Sequence, residues 1–226
     1  ALLAALMIFK LGVGPHLPAR ANGGRPWAGL AAFKEKNFRA AALGYFGHCW
    51  ELYALWALVP FLVARELERL GAAPGLQPWL SFAVIALGLP GCVWAGWWSR
   101  RIGSARVAFI ALAVSGTLCL IYPLLGDLSP WLLLALLALW GVSVIADSAQ
   151  FSALASASAP PERLGAALAM MNAIGFGLTI PSIALVTALW ASQGPWVIWW
   201  LLPGPVLGLI AMRGLHLRTH LRTTQP

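Results

Sequence analysis

The chain is expected to be an all-α polytopic membrane bundle, and three observations carry that expectation. Hydrophobic residues make up 60% of the 226 residues and charged residues only 10%, whereas the surface of a soluble domain usually needs roughly 25% charged residues. Mean hydropathy is +0.79. The apolar residues are grouped in blocks of about 20, and at 1.5 Å per residue such a block crosses a ~30 Å hydrocarbon core. So few charges could not cover a soluble globule of this length. One or two soluble domains are therefore set aside in favour of membrane helices.

Taken in order, residues 1–9 (ALLAALMIF) are apolar but too short to span. They are expected to be the end of a transmembrane helix that begins upstream. A signal peptide is a weaker reading, since no basic region precedes them and no clear small-residue cleavage site follows. Residues 10–40 contain Gly and Pro together with Lys10, Arg20, Arg25, Lys34, Lys36 and Arg39, and read as a basic linker. Six full spans are expected at 41–63, 79–98, 105–125, 130–153, 164–189 and 195–213. Together they make a six-transmembrane-helix bundle over 41–214, followed by a polar, basic tail over 215–226.

The basic residues orient this bundle. Thirteen of the fifteen Lys and Arg fall on one side: the six of the linker, then Arg100, Arg101, Arg106, Arg163, Arg213, Arg218 and Arg222. The other side has only Arg65 and Arg69, beside Glu66 and Glu68. Excess Lys and Arg mark cytoplasmic loops, so the linker and the C-terminus are expected in the cytoplasm of a cell (inner or plasma) membrane protein. The loops near 64–78, 126–129 and 190–194 are then outside. The net charge of +8 is thus a topology signal. Nucleic-acid binding would need an organised basic face on a soluble domain and is not expected. Trp79, Trp131, Trp190 and Trp196 fall near outer ends, and Trp97 and Trp98 near the inner surface, as suits rings that favour the headgroup region.

Polar groups inside the spans are the candidates for chemistry. Of seven acidic residues, Glu35, Glu66, Glu68, Asp127 and Glu162 lie in loops or the linker and are expected to be solvated. Only Glu51 and Asp147 fall within spans. A charge at a helix centre costs about 2.5–3.5 kcal/mol on insertion scales, so neither should face lipid. On a helical wheel Gly44, Gly47, His48, Glu51 and Leu55 share one face of the first full span. Glu51 lies ~15 Å from the estimated start of that span, near the midplane. His48 is one turn away on the same face, close enough to share a proton or hydrogen bond with Glu51. This is either a protonatable or substrate-contacting site, or a buried pair that only holds helices together. In the fourth full span Ser143, Asp147 and Gln150 share a face with Trp140 and Leu154, with Asp147 shallower than Glu51. In the fifth, Gly165, Ala169, Asn172, Phe176 and Thr179 align. Cys49, Cys92 and Cys119 lie in three different spans without metal-ligand spacing and read as small apolar side chains. His48 is the only histidine in any span, and one imidazole with one carboxylate leaves most metal positions unfilled. No disulfide, metal, cofactor or catalytic constellation is expected.

The loop GWWSRRIGSAR (96–106), the stretch ADSAQFSALASASAPPERLGAALAMMNAIGFGLT (146–179) and the order of parts resemble the C-terminal six-helix half of a bacterial-type major facilitator superfamily transporter, as a fragment lacking the first half. The resemblance implies a gating loop of Gly96, Arg100, Arg101, Gly103 and Arg106. Arg100 stands where that family has an acidic residue, and Ala105 where it has a basic one. It further implies alternating access around a midplane site, lined by the first, fourth and fifth helices of this half. Those are the three spans whose polar faces were read from the residues. Glu51, His48 and Asp147 are then the candidates for proton coupling or substrate contact. Tyr45, Ser143, Gln150, Asn172 and Thr179 are the candidate cavity lining. The partners implied are a small-molecule substrate, the lipid bilayer and the missing N-terminal half. The expected function is secondary active transport of a small solute, coupled to protons. A non-transporting receptor or scaffold, or an intramembrane enzyme, are the alternatives.

Overall fold

A computed structural model of the chain describes residues 2–11 and 26–223, and among these every regular element is helical. The α-helices are α1 (Leu2–Leu11), α2 (Lys36–Arg69), α3 (Gln77–Ala86), α4 (Gly88–Ile102), α5 (Ser104–Ile121), α6 (Pro130–Ala146), α7 (Ser148–Ser158), α8 (Leu164–Gln193) and α9 (Pro203–Thr223). The stretches Lys36–Arg69, Pro74–Ile102, Ser104–Ile121, Pro130–Ser158 and Pro161–Leu215 are five helical segments long and apolar enough to cross a membrane. The last, at 55 residues, contains α8 and the first part of α9. These run in opposite directions along α2. Gly44 and Gly47 of α2 meet Met212 and Gly204 of α9, whereas Tyr45 meets Gly175 and Phe61 meets Trp190 of α8.

The organising element is α2. At 34 residues it is longer than the span expected at 41–63, and it packs against α3, α6, α7, α8 and α9. Two apolar clusters are threaded on it. One runs from Leu52 to Leu67 and takes in Leu133, Leu137, Val186, Ile198 and Leu201. The other runs from Phe38 to Cys49 with Leu112, Phe151, Met171 and Met212. Buried apolar groups are worth roughly 1.5–3 kcal/mol per large side chain in water. In lipid that drive between helices is absent, and close packing has to hold them instead. Gly47 and Gly204 supply such packing, since a Cβ on either would run into the backbone carbonyl of the other.

Two expected spans are broken in the middle. The one at 79–98 divides into α3 and α4 at Leu87, because Pro90 has no N–H for the carbonyl four residues earlier. The one at 130–153 divides into α6 and α7 at Asp147 without a proline nearby. The loop expected near 99–106 is reduced to one residue. Helix α4 continues to Ile102 and α5 starts at Ser104, with Gly103 at φ +89° making the corner. Few other residues tolerate that φ.

The basic linker is only partly a linker. Pro26–Lys34 forms a 3-10 segment with Gly29 against the backbone of Ala166, Ala32 buried, and the Phe33 ring 5.2 Å from Phe38. Residues 12–25, with Arg20 and Arg25, lie outside the described residues, as do 224–226. The tail expected from 215 continues as α9 to Thr223.

One expectation about charge is overturned. Glu66 is fully buried, not solvated, because α2 runs on to Arg69 and carries Glu66 against the α5–α6 connection. Arg65 donates to its Oε1 at 2.5 Å and Arg69 to its Oε2 at 2.6 Å. The same two guanidinium groups donate to the carbonyls of Gly126 at 3.1 Å and Leu128 at 2.7 Å. This clasp fixes one end of α2 to the start of α6.

Thermal unfolding of the purified chain tests the glycine contact. Gly47→Ala is expected to destabilise by about 1–3 kcal/mol, because the added methyl overpacks against a backbone that has no rotamer to yield. Gly177→Ala, where a Cβ meets nothing within 4 Å, is expected to be neutral or to gain up to roughly 1 kcal/mol from helix propensity.

Candidate buried polar site

The boundary between the two apolar clusters on α2 is a polar layer. His48 and Glu51, one turn apart, are 2% and 1% exposed, and Asp147, at the α6–α7 junction, is 1% exposed. Burial of Glu51 and Asp147 agrees with the expectation that neither is exposed on the outside of the bundle. Their pairing differs from the expectation that His48 and Glu51 are partners. His48 Nδ1 lies 2.8 Å from Asp147 Oδ1, so its partner comes from another helix. The two atoms are in ion-pair contact, yet neither makes a well-aligned hydrogen bond. Aromatic rings flank the imidazole, with Phe151 at 5.8 Å and Tyr45 at 6.1 Å between centroids.

Glu51 is met by neutral donors from α5 and α6. Ser115 donates to its Oε1, Trp140 Nε1 donates to the same oxygen at 3.0 Å, and the Cys119 thiol lies 3.4 Å away. Trp140 Nε1 is also 2.9 Å from Ser115 Oγ. An indole N–H only donates, whereas a hydroxyl both donates and accepts. Trp140 therefore holds the carboxyl oxygen in either protonation state, while Ser115 can turn its hydroxyl around when Glu51 carries a proton. The layer thus contains one acid in contact with a group that can become a cation and a second acid whose hydrogen bonds come from neutral donors. A fixed charge buried this fully is expensive without a partner, so the two acids differ in what can neutralise them.

The remaining candidates separate by environment. Tyr45, Ser143 and Gln150 are buried. Ser143 Oγ donates to the Trp140 carbonyl at 3.2 Å, within α6. Thr179 is buried but donates to the Phe176 carbonyl of its own helix at 2.7 Å. Asn172 is exposed, along with Gly165, Ala169 and Phe176 of the same aligned face. In the expected gating loop, Gly96 lies inside α4, Arg100 is exposed, Arg101 sits 4.1 Å over the Trp97 ring, and Arg106 belongs to the first turn of α5.

Three participants escaped the sequence reading. Ser115 is a neutral hydroxyl without a charge to mark it, Cys119 reads as a small apolar side chain, and Trp140 shares a face with Asp147 but shows no partner along its own helix. Trp140 carried a usable signal. A tryptophan in mid-span, away from either membrane surface, buries an N–H that needs an acceptor. Compared with protein-family models, curated proteins and solved structures, the chain matches none.

Double-mutant cycles on unfolding separate the observed pairing from the expected one. His48→Ala or Asp147→Ala alone is expected to cost about 3–5 kcal/mol, since either leaves a buried partner uncompensated. Their coupling energy should fall within about 0.5–3 kcal/mol and exceed that of the His48–Glu51 cycle. A larger His48–Glu51 coupling would restore the pairing within α2.

Proposed function

We propose that the chain is one half of a secondary active transporter of the major facilitator type, moving a small solute by alternating access with coupling to protons. On this reading α8 and α9 cross separately, giving six crossings, with the linker and C-terminus in the cytoplasm. The observation that carries the proposal is the buried layer of His48, Glu51 and Asp147 on helices long and apolar enough to cross a membrane. Ionisable groups at membrane depth are expensive to keep and commonly mark ion or substrate pathways. A structural layer would be served as well by apolar side chains.

Two further observations favour transport. The break at Asp147 interrupts a hydrophobic segment at an acidic residue, as discontinuous helices do at transporter sites. The exposed face of α8 that carries Asn172 lacks a partner among the described residues, and a second half would cover it. Gating by the 96–106 corner also belongs to this proposal. There Gly103 is the turning point and the Arg101–Trp97 contact is the interaction that would have to yield.

The test is transport by the full-length protein in sealed vesicles under an imposed pH gradient. Gradient-dependent solute flux is expected in the wild type. Glu51→Gln is expected to remove the dependence on ΔpH and to lower coupled flux by about tenfold or more, a loss of roughly 1.4 kcal/mol at the least. Normal transport with unchanged pH dependence in Glu51→Gln would rule out Glu51 as the coupling residue.

A further inference from the structure

A notch and a groove lie end to end along α2 and α9, the groove also bounded by Leu178 of α8. The notch, about 140 Å³, is lined by Lys36, Asn37, Arg39, Ala40, Gly214 and Leu215, together with Leu43 and Ala211. The groove, about 620 Å³, begins at the same Leu43 and Ala211 and continues past Phe46, Trp50, Pro203 and Leu207. The lining thus changes from basic to apolar along a single track. Lys36, Arg39 and Arg213 are all exposed at its basic end. Arg39 spends one N–H on the Phe33 carbonyl at 3.2 Å, and a guanidinium has five donors.

The length of the track selects its occupant. From Lys36 to Trp50 along α2 is ~21 Å, and the apolar part from Leu43 to Trp50 is ~10 Å. That lies within one leaflet of a bilayer whose whole core is ~30 Å. A transmembrane helix of a partner would need an apolar face about three times as long. At its deep end the groove meets Trp50, whose Nε1 donates to the Trp200 carbonyl at 2.9 Å. A single acyl chain fits these bounds, and the basic end calls for an anionic headgroup.

We propose that this track is a binding site for one anionic phospholipid, with its phosphate at Lys36 and Arg39 and an acyl chain along Leu43, Phe46, Trp50 and Leu207. The proposal needs only the membrane setting and holds whether or not the chain transports anything. Basic pockets between membrane helices on the side of anionic lipid are suited to such headgroups. The Leu43–Ala211 junction is where headgroup and chain meet, so a bulky side chain there should block the chain while leaving the basic residues in place.

Native mass spectrometry of the full chain in mild detergent tests this, using phosphatidylglycerol and phosphatidylcholine with identical acyl chains. Wild type is expected to retain phosphatidylglycerol adducts in preference to phosphatidylcholine. Lys36→Gln with Arg39→Gln should weaken phosphatidylglycerol retention roughly 30-fold, ~5-fold for each basic residue. Arg100→Gln with Arg101→Gln removes the same charge elsewhere and should leave retention unchanged. Ala211→Phe should lower phosphatidylglycerol retention with the basic residues intact. Equal retention of the two lipids by wild type overturns the proposal. So does a Lys36/Arg39 double variant that retains phosphatidylglycerol like wild type, an equal loss in the Arg100/Arg101 control, or an Ala211→Phe variant without effect.

Discussion

A carboxyl group inside an apolar bundle has to find its partners there, and Glu51 sets the arrangement of the helices around it. Its Oε1 draws Ser115 and Cys119 from α5 and Trp140 from α6. Those three contacts fix how both helices are rotated about their own axes. With α6 so placed, Asp147 at its end comes within 2.8 Å of His48, one turn along α2 from Glu51. The polar layer is therefore a set of rotational stops between otherwise featureless apolar surfaces. Leucine and valine faces pack in several rotations at similar energy, whereas a buried acceptor is satisfied in few.

Close packing complements these stops. At Gly47 and Gly204 the backbones of α2 and α9 meet without side chains between them, which suits a medium in which dispersion and shape bring helices together. Polar contacts thus define the angle of each helix and the glycines its distance. At the far end of α2 the Arg65–Glu66–Arg69 clasp holds the α5–α6 connection through the carbonyls of Gly126 and Leu128. One helix serves as the reference for α3, α5, α6, α7, α8 and α9.

Much of this was legible in the sequence, for reasons that differ by feature. Helices long and apolar enough to cross a membrane are legible from the hydrophobic blocks, because length and charge content are one-dimensional properties. The faces holding His48, Glu51, Asp147 and Gln150 were found because helical periodicity makes burial visible within a single helix. The pairing was not found. A helical wheel shows only neighbours along one helix, so it matched His48 with Glu51, and the partner 99 positions away depended on how α6 rotates. Glu66 reads as a loop residue for a simpler reason: hydropathy ends the first full span at 63, whereas α2 continues six residues further to Arg69. Asn172 lies on an aligned face whose exposure depends on which helices are present to cover it. Ser115 and Trp140 are neutral, and a search for titratable groups passes over them.

The clasp on α2 also bears on how the chain is made. Its ion pairs join residues one and three positions apart, so they form as soon as that one helix has been synthesised. Both arginines can therefore be paired to a common carboxylate before any other helix is present. The carbonyls of Gly126 and Leu128 lie about sixty residues further along the chain and are captured only when that stretch emerges. The clasp is thus a two-stage latch, set during translation of one helix and closed by the arrival of another.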